Sequence, residues 1–299
     1  MIDPHKFTSP YQLTKSMHRD VYPAVDARRP ELSAKGKVVI VTGAGGGLGY
    51  RVVEAWATAG AAGIVLVGRT ESTLKHTAAT MAGSIPTLVV PTNITSVDAV
   101  ESMYEKVKER FDHAHVLVDT AGVLCFGSTL AKSEPDEWWG AFETNVRGTY
   151  LLSRGFIRAF EGVGTIMNFV SIAAWENAPG MSAYTVAKSA IMRLTEMLHS
   201  EQPDLRVFSL HPGISARDED RGMFVPAFEP FCKDKQQLTA GVTLWLSTSR
   251  ADFLKGGFVS VNWDVSELEA HKDEIQQKRL NKLAMLNARL GVDGQPWAG

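Results

Sequence analysis

Seven short apolar runs punctuate the chain: Val38–Val41, Ile64–Val67, Leu88–Val90, Val116–Val118, Ile166–Val170, Val207–Leu210 and Phe258–Val261. They are continuous rather than alternating, which suits parallel strands buried on both faces. Between most of them lie longer segments of helical character: Leu48–Ala59, Glu71–Met81, Val97–Phe111, Pro135–Phe160, Ala183–Glu201 and Gln236–Leu246. Strand–helix alternation predicts an α/β fold, a doubly wound seven-stranded parallel sheet with helices on both faces and right-handed crossovers. No internal repeat or low-complexity tract competes with this.

The flanks read differently. Residues 1–34 are polar and irregular, with prolines at 4, 10, 23 and 30, and predict an arm leading into a main domain at 35–263. Inside that domain, residues 214–235 break the pattern while carrying Met223, Phe224, Phe228 and Phe231. A long connection this apolar is expected to be a lid over a substrate; the alternative is that its side chains fill a gap beside the sheet. In the C-terminal extension, 264–299, apolar positions at Val265, Leu268, Ile275, Leu283, Leu286 and Leu290 predict one long amphipathic helix. Gly291 would stop it. Its apolar face could cover the chain's own core, the rim of an active site or a dimer interface.

Composition narrows the class. With 44% hydrophobic and 21% charged residues, the 299-residue chain has an ordinary globular balance. A net charge of −2 gives no reason to expect a nucleic-acid partner. No apolar run of about 18 residues is present to span a membrane, and the N-terminus lacks the hydrophobic core of a secretory signal. Cys125 and Cys232 are the only cysteines, too few for a disulfide framework or a cysteine zinc site. A reducing, cytoplasmic location is the default expectation, with no metal.

Two stretches carry candidate chemistry. Tyr184 and Lys188 are four apart, so on a helix both side chains lie on one face. An ammonium beside a phenol favours the ionised phenol, which would let Tyr184 exchange a proton near neutral pH. On its own such a pair is often chance. Ser171 follows the fifth apolar run, at the carboxyl end of a strand, where open α/β sheets place their ligands. The first run leads straight into Thr42-Gly43-Ala44-Gly45-Gly46-Gly47-Leu48-Gly49 and then a helix. Strand, glycine loop and helix together let backbone N–H groups and a helix N-terminus meet a pyrophosphate.

Taken together, these motifs resemble a short-chain dehydrogenase/reductase with a single Rossmann domain. The glycines fit TGxxxGxG at Thr42, Gly43, Gly47 and Gly49. The family's asparagine matches Asn145, its serine Ser171, its YxxxK Tyr184 and Lys188, and its PG after the sixth strand Pro212-Gly213. All occur in family order between about residues 36 and 262. Wording near Ala251-Asp252-Phe253 and Asn262-Trp263-Asp264 is similar to fungal members that tailor secondary metabolites. Three positions depart from the pattern: Asp119-Thr120-Ala121-Gly122 replaces NNAG, Asn93 replaces an aspartate near the adenine, and Arg217 stands where a threonine is usual.

The resemblance implies hydride transfer between a nicotinamide and a carbonyl or alcohol. It assigns catalysis to Asn145, Ser171, Tyr184 and Lys188. Cofactor binding falls to Thr42, Gly43, Gly47, Leu48, Gly49, Arg69, Asn93, Ile94, Ala121, Gly122, Tyr184, Lys188, Pro212, Gly213 and Ile214. An apolar substrate pocket is expected at Leu124, Cys125, Trp175, Met181, Met223 and Phe224. Where NAD-preferring relatives end the second strand with an acid, this chain has Gly68-Arg69, which favours NADP(H). The other reading of Arg69 is an arginine stacked on adenine that tolerates both cofactors. A homodimer or homotetramer through helices 135–160 and 182–201 is a further expectation. Non-redox proton transfer on the same scaffold and a nucleotide-binding sensor that never turns over are the competing functions.

Overall fold

A computed structural model describes residues 2–81, 85–216 and 225–283. Seven parallel strands form one sheet in the order β3-β2-β1-β4-β5-β6-β7. These are β1 Val38–Thr42, β2 Gly63–Gly68, β3 Thr87–Pro91, β4 Val116–Asp119, β5 Gly164–Phe169, β6 Leu205–His211 and β7 Phe258–Ser260. The chain winds outward from β1 in one direction, returns, and continues through β4 in the other. That reversal opens a crevice at the carboxyl ends of β1 and β4, the general place for ligands in such sheets.

Both faces of the central strands are buried, as the continuous apolar runs require. In β1, Val39 and Val41 enter one core while Val38 and Ile40 enter the other. The first core is capped by helices α1 (Gly47–Thr58) and α7 (Gln236–Leu246), whose Trp56 and Trp245 are fully buried. Trp56 Nε1 donates to Thr243 Oγ1 at 3.0 Å, satisfying the one polar atom its burial strands. The second core lies under α3 (Val97–Phe111) and α5 (Gly148–Ala159), with Met103, Leu117, Leu152 and Phe156 at its centre. Helix α2 (Glu71–Thr80) follows β2. Helices α4 (Pro135–Phe142) and α6 (Ser182–Glu201) pack beside each other near the crevice.

Two expected helices are interrupted. The segment Pro135–Phe160 contains a π-helical turn at Glu143–Arg147. At the C-terminus, the described part of the extension is two short helices, α8 (Val265–Ala270) and α9 (Lys272–Lys278), not one long one. His271 between them is non-helical at φ −110°, ψ 18°, and Arg279 adopts the left-handed conformation at φ 54°, ψ 42°. Leu286, Leu290 and Gly291 lie outside the described residues. Val265, Leu268 and Ile275 are buried in the chain's own first core, which is what that part of the apolar face covers.

The arm is bound along its length. Val25 and Leu32 enter the first core, Trp263 Nε1 donates to the Tyr11 carbonyl at 2.8 Å, and His18 pairs with Asp264 at 2.7 Å.

Candidate active site

The glycine loop joins β1 to α1 by close backbone contact. Gly43 has φ +65°, and a Cβ on Gly49 would stand 2.3 Å from the Gly43 carbonyl oxygen, so only glycine fits there. Helix α1 begins without a side-chain cap, which leaves its first N–H groups for an anion. The result is a backbone cradle, open to the crevice, of the kind a dinucleotide pyrophosphate needs. Gly43, Gly47, Leu48 and Gly49 line a cavity of about 640 Å³ with Ala121, Gly122, Pro212, Gly213 and Ile214.

Five expected cofactor positions stand off this lining: Thr42, Arg69, Asn93, Ile94 and the buried Lys188. Thr42 is fully buried, and its hydroxyl donates to Asp119 Oδ1 at 2.6 Å; it is a strut between β1 and β4. Asn93 turns back on its own loop, accepting from Thr95 N at 3.2 Å and Thr95 Oγ1 at 3.0 Å. Ile94 is buried against Gly148. Arg69 is exposed just beyond the end of β2.

The catalytic candidates converge on the same crevice. Ser171 and Tyr184 line the cavity, and the Ser171 hydroxyl favours the ionised form of the Tyr184 phenol. Ser171 Oγ also accepts from Ala173 N at 3.2 Å. Lys188, one turn along α6, is 4% exposed, donates to the Phe169 carbonyl at 2.7 Å, and has Nζ 5.7 Å from the Tyr184 ring centroid. Asn145 is wholly buried in the π turn: Nδ2 donates to the carbonyls of Ala141 and Val123 at 2.9 Å, and Oδ1 accepts from Val123 N at 3.2 Å. The extra residue in that turn widens the helix where Asn145 ties it to the loop after β4.

Electrostatics correct one expectation. Lys188 does not draw Tyr184 down; burial pushes the phenol up, and the Ser171 hydroxyl opposes it. Burial also lowers Lys188 to about 8, against the pull of Asp119. Asp119, a departure from the family pattern, is a buried hub. Its second oxygen accepts from Thr149 Oγ1 at 2.7 Å, and Ala121 N adds a bond to the first at 3.3 Å. Burial raises its pKa, with Thr42, Thr149 and Lys188 opposing.

The expected apolar pocket is met in part. Leu124 and Met181 line the cavity, whereas Cys125 and Trp175 do not. Trp175 is 40% exposed with its ring edge-on to Phe258, because the short helical turn Ile172–Ala174 rotates it off the site. Met223, Phe224 and Arg217 lie outside the described residues. Phe228 and Phe231, from the segment expected to form a lid, line it too; unanticipated are Phe126 and, from the arm, Lys6 and Phe7. Another is His211, 3% exposed, whose Nδ1 accepts from Ile172 N at 3.2 Å. Only its place at the end of a strand beside Pro212-Gly213 could have signalled it.

Comparison with known proteins decides the family. Residues 37–221 match the profile described as short chain dehydrogenase. The chain belongs to the short-chain dehydrogenase/reductase family. It is similar to the short chain dehydrogenase pigC of Monascus ruber, 32% identical over 287 residues and covering 89% of this chain and 91% of that one. The short chain dehydrogenase citE of the same species is 34% identical over 271 residues, with 87% and 91% covered. Among solved structures, a short-chain dehydrogenase from Mycobacterium smegmatis superposes with TM-score 0.69 at 25% identity, covering 80% of this chain and 98% of that chain. This dehydrogenase is thus an oxidoreductase of a family that uses a nicotinamide cofactor. No helix among its described residues is long and apolar enough to cross a membrane.

Proposed function

We propose that this dehydrogenase is an NADP(H)-dependent reductase of the ketoreductase type. It would transfer hydride between the nicotinamide and a carbonyl or secondary alcohol of a small, largely apolar molecule, a secondary metabolite. The observation that carries this is one cavity with two kinds of wall: the glycine cradle Gly43–Gly49 on one side, Ser171 and Tyr184 on the other. The bound nicotinamide supplies hydride when reduced and accepts it when oxidised. The chain's residues do the rest. Ser171 orients the substrate oxygen and meets its developing charge. Tyr184 gives a proton to that oxygen in reduction and takes it back in oxidation. Lys188, protonated below its pKa of about 8, keeps a cation one helical turn away. Asn145, bonded at both ends of its amide, fixes the backbone around Val123.

Preference for NADP(H) rests on Arg69, exposed where an acid would repel a 2′-phosphate. The apolar substrate class rests on Leu124, Phe126, Met181 and Phe228. A homodimer or homotetramer through α4, α5 and α6 is supported by the exposure of Trp139, Tyr150, Val186 and Met197 on those helices. A cytoplasmic location rests on the two unpaired cysteines. The direct test follows absorbance of the reduced nicotinamide with a panel of apolar ketones and both cofactors. Consumption of NADPH with formation of the alcohol is expected; substrate turnover with no redox change in the cofactor would overturn the reading.

A further inference from the structure

Two residues of the N-terminal arm, Lys6 and Phe7, line the same cavity as Ser171 and Tyr184. The Phe7 ring meets Phe231 edge-on at 4.7 Å and Phe228 at 6.0 Å, and Phe228 in turn meets Phe126 at 5.7 Å. Lys6 Nζ stands 5.2 Å from the Phe7 ring centroid. Four aromatic rings from three distant parts of the chain therefore make one wall.

The arm that carries Phe7 is held in place. The Tyr11 hydroxyl donates to the Glu176 carboxylate, itself on the cavity wall. Lys15 N and Ser16 N donate to the Glu267 carboxylate at 2.8 and 2.9 Å. Arg19 pairs with buried Asp234 at 2.9 Å, and the other oxygen of Asp234 accepts from Ile214 N at 2.5 Å. Asn262 Nδ2 closes the set by donating to the His18 carbonyl at 2.9 Å and to Asp234 at 2.8 Å. A wall fixed in this way does not have to be ordered when a ligand arrives.

We propose that Phe7 is a specificity-determining residue, and that through it the arm selects planar aromatic or conjugated carbonyl compounds. The inference rests on the oxidoreductase reading of the site. Phenylalanine rings held edge-on offer a flat ligand the offset and edge-to-face contacts that aromatic pairs favour, with centroids about 4.5–7 Å apart. An aliphatic ligand of equal reactivity gains only area. In the reaction, the carbonyl carbon gains hydride from reduced nicotinamide and the oxygen gains a proton from Tyr184, leaving an alcohol and oxidised nicotinamide.

The test uses two vicinal diketones of different shape, 9,10-phenanthrenequinone and 2,3-butanedione, with the full chain and NADPH. Phe7→Ala is expected to lower kcat/KM for phenanthrenequinone by about 5- to 30-fold while butanedione stays within about twofold. Phe7→Leu, which keeps bulk without a ring, should fall between. Thermal melts of each variant check that the fold persists. Binding of phenanthrenequinone to the NADP⁺-loaded enzyme by equilibrium dialysis gives a readout without turnover, and Phe7→Ala should weaken it by the same factor. Equal losses on both diketones, no loss on either, or no binding of phenanthrenequinone by the wild type would overturn the inference. Binding that depends on Phe7 without any reduction would leave the arm's role standing and count against the oxidoreductase reading instead.

Discussion

Lowering the pH from 7 to 5 sets a buried ring against its surroundings. His211 closes β6, and its Nδ1 accepts the Ile172 N–H, one residue after Ser171. Burial first, and the positive charge of Arg19 second, lower its pKa from 6.5 to about 3. The unfolded chain therefore takes up a proton near 6.5 where the folded chain does not. The stabilisation is fully present above 6.5 and is lost progressively as pH falls toward 3. At pH 5 linkage puts the loss at about 2 kcal/mol. With an unfolding entropy of about 2.1 cal/mol/K per residue, that is about 3 °C in Tm for a chain of 299 residues. His211→Asn keeps an acceptor for Ile172 and cannot be protonated. Scanning calorimetry at pH 7, 6 and 5 on both proteins cancels every other titrating group in the difference. The wild type should lose about 3 °C more than the variant. Parallel pH profiles would refute a buried neutral His211.

Other expectations follow from individual contacts. Gly122→Ala would place a Cβ 2.8 Å from Asn145 Oδ1 and 3.5 Å from Lys188 Nζ, and Asn145 is too firmly bonded to give way. Steady-state kinetics should show kcat/KM down by about 10²-fold, the cost of displacing a catalytic group by about an ångström; normal kinetics would mean that Asn145 has no part. Arg69→Ala should collapse a preference for NADP(H) of about 10- to 150-fold, the worth of a charged hydrogen bond. Equal wild-type dissociation constants for the two cofactors, or an unchanged ratio in the variant, would remove Arg69 from recognition. Light scattering at micromolar concentration should give a multiple of 32.6 kDa, and a monomer mass would leave α4 and α6 without a partner.

What the sequence disclosed, and what it hid, follows from the range of the forces involved. Most strands were legible because burial on both faces leaves an unbroken apolar run, and Val38–Thr42 shows it residue by residue; the edge strand β3 keeps its run although Leu88 and Val89 are only half-buried. The glycine loop was legible because a Gly49 Cβ has nowhere to go, a constraint set by a residue six positions away. The π turn at Glu143–Arg147 was not, since helical periodicity carries no mark of one inserted residue. Nor was the break at His271, where propensity alone favours continuation. The aromatic wall stayed hidden for a different reason. Phe7 meets Phe228 and Phe231 more than 200 residues later, and nothing local to an irregular, proline-containing arm announces such a partner. Trp175 shows the converse: a large apolar residue near Ser171 looked like pocket lining, and the short turn Ile172–Ala174 sends it to Phe258.

The central claim is that Tyr184 moves the proton while the glycine cradle holds the cofactor. Tyr184→Phe removes the hydroxyl and keeps the ring packed beside Ala173 and Met181. The decisive measurement is single-turnover oxidation of bound NADPH by an apolar ketone in this variant, alongside the NADPH dissociation constant. The account predicts a dissociation constant within about threefold of wild type, since the cradle is untouched. It predicts a hydride-transfer rate lower by roughly 10²–10⁴-fold, the range for losing a positioned acid. A rate within a few-fold of wild type, with cofactor still bound, would contradict it.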